Sequence, residues 1–397
     1  PESVPYRVDM AQLVVDGRML EVSGEAMLLG ALARAGVAVP SLCDDPRLAP
    51  SGECRMCLVE LEGSPQPVSA CTTRVADGMV LRTATAELES VRAGLLEMMA
   101  RRYPPQAVED YPDKPLHELF SRYDVSAIGG EQDPGRIDDS HPCIAVDMNR
   151  CIDCLRCVRI CDEVQGQFVW QPNGRGIATT VLAGVGVPLA DSACVACGAC
   201  VDTCPTGAIE DRFVVEAALP PDRWTRTVCP YCGVGCELLV GTRDERIATV
   251  VPAGDAPVNR GHACVKGRYA HGFVSSPERV TEPMVRRADG WQVVSWSDAI
   301  AATADGLRTV IDRFGPDAVG VLGSARATNE DNYLLQKFAR TVIGTNNVDC
   351  CARVCHAPSA VGLASMLGTG AATNSFADIE AAGSVLVCGS NTTENQP

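Results

Sequence analysis

The chain has 397 residues and carries 50 Asp and Glu against 34 Lys and Arg, a formal charge of −16 near neutral pH. That length allows several domains, each with its own core, and the acidic balance argues against nucleic acid and anionic membrane as partners. The longest apolar run, VLAGVGVPLA at 181–190, is too short and too rich in Gly and Pro to span a bilayer. The opening PESVPYRVDM carries neither a signal peptide nor a twin-arginine stretch, so a cytoplasmic chain is expected. Twenty-one cysteines in such a chain point to metal or redox chemistry rather than disulfides.

In chain order, AQLVVDGRMLEV alternates apolar and polar positions around an Asp-Gly turn and predicts a β-hairpin. GEAMLLGALARAG predicts a helix closed by Gly36. A cysteine-bearing loop follows, and Cys43, Cys54, Cys57 and Cys71 fall at C-x10-C-x2-C-x13-C, giving a small β-grasp domain over 1–85. The arrangement resembles the [2Fe–2S] domain of the large iron–sulfur subunits of complex I and related dehydrogenases. That resemblance implies four thiolates around two irons, with Gly52 and nearby loop N–H groups stabilising the sulfurs. Packing is the plain alternative, but C-x2-C inside a loop rarely serves it.

Residues 86–140 read as a helical connector. Related large subunits often hold a further cluster here with one histidine and three cysteines, yet no cysteine lies between Cys71 and Cys143. His117 in KPLHELFSRY and His141 in SHPCIAVD are therefore expected to be surface or packing residues. That further cluster is expected to be absent, which leaves the electron route open.

Residues 141–220 contain Cys151, Cys154, Cys157 and Cys161, then Cys194, Cys197, Cys200 and Cys204, each set spaced C-x2-C-x2-C-x3-C, with Pro205 after the last. Two-residue gaps wrap three thiolates around one corner of a cubane, and the fourth cysteine of each run ligates the other cubane. A two-[4Fe–4S] ferredoxin-like domain is expected. One cluster would be held by Cys151, Cys154, Cys157 and Cys204, the other by Cys194, Cys197, Cys200 and Cys161. Zinc rarely uses this eight-cysteine repeat.

Over 221–285, Cys229, Cys232, Cys236 and the distant Cys264 suit a third [4Fe–4S] cluster, with a four-cysteine zinc knuckle as the alternative. CPYCGVGC followed by NRGHACVKGR resembles the N-terminal segment of the molybdenum- or tungsten-bis(pterin guanine dinucleotide) oxidoreductases. The resemblance implies that Lys266 lies between cluster and pterin; a solvated surface charge is the plain reading. Cys143 reads as a free buried thiol, and Cys388 in SVLVCGS as the end of a buried strand.

From 286 to 397 the pattern is that of an α/β domain, which the resemblance makes an incomplete molybdopterin-binding domain. DAVGVLGS is an apolar run ending in Gly-Ser, followed by polar ARATNEDN and helical YLLQKFARTVIG, and SVLVCGSNTTENQP repeats the theme. SARATNEDNYLLQKFARTVIGTNNVDCCARVCHAPS resembles the corresponding segment of metal-dependent formate dehydrogenases, and the front half resembles the redox extension of their NAD-linked members. The fold class expected is thus multidomain α+β and α/β: β-grasp [2Fe–2S], two-[4Fe–4S] ferredoxin-like, then the start of a molybdopterin oxidoreductase fold.

The resemblance implies that Cys355 is the protein sulfur ligand to Mo or W, a soft thiolate on a heavy metal. It makes His356 the neighbouring acid–base or electrostatic group. Related nitrate reductases typically place methionine after the ligand cysteine. Cys350 and Cys351 read as buried thiols beside a turn. Ser324, Arg326, Gly389, Ser390 and Asn391 sit on loops that would contact the pterin–guanine cofactor, and Gln396 stands where relatives often have histidine.

By the same resemblance, formate is oxidised to CO2, with the reverse reaction open, at a Mo- or W-bis(molybdopterin guanine dinucleotide) centre. Electrons pass through three [4Fe–4S] clusters and one [2Fe–2S] cluster. GVGVPL, GVGCEL and GTGAAT all fail the third glycine of G-x-G-x-x-G. A separate diaphorase-type subunit is therefore expected to carry flavin and NAD. Related catalytic subunits continue for several hundred residues, and the arginine that would grip formate bidentately is expected there. The alternatives are a nitrate-type oxyanion reductase, or a complex I-like electron-transfer subunit without active metal.

Overall fold

The computed structural model describes residues 10–24, 26–130, 132–217 and 221–392, with backbone alone at 216–217. The chain divides into two compact units, the first running to Gly272 and the second starting at Phe273.

The first unit opens with β1 (Met10–Val15) and β2 (Arg18–Ser23). Asp16 and Gly17 both have positive φ, 51° and 80°, as a two-residue turn matched to strand twist requires. Helix α1 (Leu28–Arg34) starts later than the pattern suggests, and it closes where the Gly36 N–H donates to the Ala33 carbonyl at 3.1 Å. Strands β3 (Leu58–Leu61), β4 (Val68–Ser69) and β5 (Val80–Arg82) complete the sheet β2-β1-β5-β3-β4, in which β1 and β5 run parallel. Leu13, Leu28, Leu32, Val59 and Leu81 form its core together with Cys57 and Cys71.

The connector folds into α2 (Ala86–Ala100), α3 (Pro105–Asp110) and α4 (Pro115–Arg122). Thr85 caps α2, and Pro stands in the first turn of α3 and of α4, where a missing N–H costs nothing. Leu96, Tyr103, Leu116 and Phe120 pack under Leu42 and Met56, which come from the first cysteine loop. Buried Arg92 on α2 ties that loop down, donating from Nε to the Met56 carbonyl at 3.1 Å and from Nη2 to that of Leu58 at 2.8 Å.

Next come β6 (Ile137–Asp138), β7 (Ile144–Asp147), α5 (Arg156–Arg159), β8 (Trp170–Asn173), β9 (Thr180–Ala183), α6 (Ala199–Thr203), β10 (Ile209–Asp211) and α7 (Arg212–Ala217). Strands β10, β7 and β6 pair in that order. Ile144, Ile160, Trp170, Val201 and Ile209 pack around Cys157, Cys161 and Cys200, so the cysteines belong to the core itself. The antiparallel sheet β11 (Arg223–Val228), β12 (Glu237–Arg243) and β13 (Arg246–Pro252) follows, and α8 (Val265–Tyr269) ends the unit.

The second unit contains the hairpin β14 (Met284–Arg287) and β15 (Gly290–Val293), then α9 (Trp296–Phe314), β16 (Val321–Gly323), α10 (Asn329–Phe338) and β17 (Val348–Cys350). Three helices follow: α11 (Ala352–Cys355), α12 (Ala357–Leu367) and α13 (Phe376–Ala381). Strands β16 and β17 are parallel, with Gly323 opposite Cys350. The expected buried strand ending at Cys388 does not form: 385–387 lie outside any strand, Leu386 is 92% exposed, and Cys388 is exposed too. An apolar run becomes a strand only beside a hydrogen-bonding neighbour, and among the described residues none pairs with it.

Candidate functional site: four cysteine groups and a strand-end turn

In the first group, Cys43, Cys57 and Cys71 are buried and Cys54 is half-buried. The Leu42 N–H points at Cys54 Sγ and the Cys54 N–H at Cys43 Sγ, each at 3.4 Å. Gly52 and Arg55 take positive φ, 68° and 58°, to curl this loop. Hydrogen bonds from Cys54 and Cys71 hold the Cys43 thiol far below its ordinary range, and a hydrogen bond from Cys71 brings Cys57 down to about 7. The same hydrogen bonds, with burial, push Cys54 and Cys71 up, while the backbone N–H groups aimed at Cys43 and Cys54 suit sulfurs of an anionic iron–sulfur unit.

In the ferredoxin-like region, Cys151, Cys154, Cys157 and Cys204 line one small cavity. Cys161, Cys194, Cys197 and Cys200 line another. The fourth cysteine of each run therefore stands with the first three of the other. Burial pushes the Cys154 thiol up to about 12 and Cys197 up to about 11, and raises Cys157 and Cys200 as well. Thiolates at these places need cationic partners, which cluster irons supply. Among the described residues, no three His, Cys, Asp or Glu side chains close on one point in the way a single metal ion needs.

A feature hidden from the spacing lies between these cysteines. Asp153 and Leu155 have φ of 55° and 56°, and Ala196 and Gly198 repeat the pattern at 52° and 73°. Three of the four carry a Cβ that this conformation penalises, so local strain is held at both loops. Backbone N–H groups from the same stretches reach sulfur: Asp153 to Cys151 Sγ and Ala196 to Cys194 Sγ, each at 3.4 Å.

Cys229, Cys232, Cys236 and Cys264 are all half-buried. The Cys229 N–H bonds the Cys236 carbonyl at 2.8 Å, closing the loop. Helix α8 lies against this loop: a Cβ at Gly267 would stand 3.4 Å from Cys229 Sγ, in van der Waals contact with it. Lys266 is the second residue of α8, next to Val265 and two from Cys264. Buried polar atoms without a hydrogen-bond partner include Arg159 Nε, His262 Nδ1 and Arg268 Nε, on residues that lie two, two and four positions along the chain from a cysteine of one of the groups. The two arginine Nε–H donors are the kind of group that sulfur acceptors in a cluster would satisfy.

Ion pairs join the groups. Asp45, 3% exposed, accepts from Arg47 Nη2 at 2.8 Å, Arg156 Nη2 at 3.1 Å and Thr203 Oγ1 at 2.7 Å. Arg47 also reaches the Gly261 carbonyl at 3.0 Å, and Arg159 donates to the carbonyl of Cys43. One carboxylate thus links the first cysteine loop to both loops of the ferredoxin-like region. Arg47 carries the link on to the segment before Cys264.

The connector histidines have structural partners. His117 is 2% exposed, with Nδ1 2.5 Å from the Tyr111 carbonyl and Nε2 2.7 Å from the Tyr103 hydroxyl. His141 Nδ1 accepts from the Cys143 and Ile144 N–H groups, both at 3.1 Å. Burial lowers the pKa of each. Packing is the role seen; the surface alternative is not. Cys143 is half-buried rather than buried.

In the second unit, the strand-end loops of β16 and β17 adjoin. Ala325 N–H points at Cys351 Sγ at 3.5 Å, which brings the Ser324–Arg326 loop beside the turn carrying Cys355 and His356. Cys355 ends α11 and is exposed; His356 stands at the entry to α12. Carboxyl ends of adjacent parallel strands are where α/β sheets receive ligands. Asn332 of α10, which the spacing does not single out, holds the loop: its amide donates to the Ser324 carbonyl at 2.9 Å and its oxygen receives the Ser324 N–H at 3.3 Å. Cys350 is half-buried and Cys351 exposed, so neither is the buried thiol expected. Gly389, Ser390 and Asn391 lie exposed further along the chain, and Gln396 falls outside the described residues.

Residues 222–276 match the molybdopterin oxidoreductase Fe4S4 domain and 279–397 the molybdopterin oxidoreductase domain. Residues 9–86 match a 2Fe-2S iron-sulfur cluster binding domain. Residues 141–210 match the ferredoxin-like domain of NADH-quinone oxidoreductase subunit 3. The chain thus joins iron–sulfur domains to the start of a molybdopterin oxidoreductase domain. Among curated relatives, an NADH-quinone oxidoreductase subunit of Rhizobium meliloti is 36% identical over 98% of this chain and 45% of its own length. The alpha subunit of the NADPH-Fe(3+) oxidoreductase of Geobacter sulfurreducens is 34% identical over 96% of this chain and 45% of its own. A Staphylococcus aureus protein named as a putative formate dehydrogenase is 30% identical over 97% and 43%. The chain thus spans less than half the length of these relatives. No helix among the described residues is long and apolar enough to cross a membrane.

Proposed function

We propose that this chain is the electron-conducting front and the beginning of the metal site of a cytoplasmic formate dehydrogenase catalytic subunit. The observation that carries the reading is the Cys355-His356 pair, exposed at a strand-end turn beside the Ser324–Arg326 loop. Cys355 would hold Mo or W, and His356 would hold or move a proton at its imidazole. Ser324, Arg326, Gly389, Ser390 and Asn391 would line the pterin–guanine cofactor, and Lys266 would stand between that cofactor and the Cys229 group. The metal–pterin centre, when bound, supplies the two-electron acceptor that formate oxidation needs. Formate yields CO2, one proton and two electrons; three [4Fe–4S] sites and one [2Fe–2S] site would pass these singly to a flavin- and NAD-binding partner.

A second reading is an electron-transfer subunit without active metal, favoured by the 36% identity to the Rhizobium meliloti NADH-quinone oxidoreductase subunit. Elemental analysis and formate-dependent dye reduction on the native complex separate the two. Mo or W bound together with formate activity, and loss of at least ~10²-fold in that activity in Cys355→Ala, supports the first. Absence of both elements, with iron intact, would establish the second.

A further inference from the structure

Arg268 lies four residues after Cys264 and is 1% exposed, among the largest fully buried side chains of the chain. Its backbone N–H bonds the Cys264 carbonyl at 3.0 Å, on the helix whose Gly267 faces Cys229 Sγ. The side chain belongs to a different neighbourhood. Its Nη1 donates to both oxygens of Asp202, each at 2.7 Å, on the helix between Cys200 and Cys204. Its Cδ, Nε and Cζ fill the space beside Gly198, between Cys197 and Cys200, where any Cβ would stand 2.4 to 2.7 Å from them. Glycine at 198, with φ +73°, is what admits the guanidinium. Its Nε–H has no hydrogen-bond partner, and the Asp211 carboxylate oxygen stands 4.0 Å away.

A permanently charged, planar fork spans two cysteine groups from the inside, with one buried donor unspent. Iron–sulfur potentials respond to nearby charge and to N–H groups directed at cluster sulfur, and both act strongly where water is excluded. We propose that Arg268 is a positioning residue for electron transfer between the cluster of Cys229, Cys232, Cys236 and Cys264 and that of Cys161, Cys194, Cys197 and Cys200. It fixes the separation of the two sites and raises the reduction potential of the second. The step is an outer-sphere transfer: one cluster loses an electron, the other gains it, no bond forms or breaks, and Arg268 keeps its protons. The proposal rests on reading these cysteines as [4Fe–4S] sites.

The test is an anaerobic redox titration of the complete enzyme followed by electron paramagnetic resonance, with Cys194→Ser used to assign the second cluster's signal. In Arg268→Met that cluster becomes harder to reduce, its oxidised-to-reduced ratio at fixed poise rising about tenfold, or about 59 mV. Arg268→Lys, which keeps the charge, shifts it much less. Asp202→Asn, which removes a negative charge, shifts it the opposite way. An unchanged midpoint in Arg268→Met with full iron content overturns the proposal, as do shifts of the same sign in Arg268→Met and Asp202→Asn. If Arg268→Met loses iron on purification, Asp202→Asn decides: an upward shift supports the proposal, and none or a downward one overturns it. If Cys194→Ser leaves both iron content and spectrum unaltered, the cluster reading itself falls and takes the proposal with it.

Discussion

The two units hold themselves together by different means. Up to Gly272, the apolar interiors close around the cysteines, and the buried arginines Arg92 and Arg268 are pinned by carbonyls and carboxylates. From Phe273 on, Ala339, Ile343 and Thr345 are the buried residues among those described, while Trp291, Trp296 and Leu322 are exposed, the last at 84%. Helices there rest on local signals: Ser295, Thr328 and Ser375 each cap one, accepting the N–H three residues on. Caps contribute about 1 kcal/mol each, whereas lasting helicity comes mainly from a packed face. A parallel strand pair is also a structure that sheets normally cover on both sides. The first unit is organised by what it encloses; the second presents surfaces that await enclosure.

The largest effect separating the units should appear when they are made apart. Residues 1–272, reconstituted with iron and sulfide, should unfold in one or a few cooperative steps by circular dichroism. Residues 273–397 alone should show no cooperative transition and should bind an apolar dye. A sharp melt from the second piece would break the contrast.

Next in size is the crossed pairing inside the first unit. Cys161→Ser should weaken the cluster whose other thiolates follow residue 190, and Cys204→Ser the one whose others precede residue 160. In each case up to about four irons per chain are lost while the remaining signals persist. Loss of the sequence-adjacent cluster instead would show that the cavities mislead.

Much of this is legible in the residues alone, for reasons of range. Asp16-Gly17 specifies its turn locally, and the cysteine runs display their grouping in a few residues. What the sequence hides depends on partners far along the chain. Asp45 meets Arg156 and Thr203, Arg268 meets Asp202, and His117 gains its buried place from Tyr103. No local pattern encodes those encounters. The 385–388 stretch misleads because apolarity signals a preference for burial, while a strand needs a neighbour as well. Positive φ at Asp153, Leu155 and Ala196 is invisible because glycine, its usual sign, is missing there.

The smallest effect concerns that strain. Ala196→Gly should raise the first unit's stability by ~1 kcal/mol, relieving a Cβ held in the left-handed region. A cap removed in the second unit, Thr328→Ala, should leave the same melt untouched. Thermal unfolding of the intact chain, followed by iron absorbance, reads both.

The Asp45 junction has a mechanical corollary. A carrier that ferries charge by swinging between stations needs a hinge, and here the leading lobe is bolted to its neighbours through one shielded carboxylate and three arginines, Arg47, Arg156 and Arg159. Such a lobe stays where it is. A group held by Cys43, Cys54, Cys57 and Cys71 therefore keeps a set distance from the two cysteine runs behind it.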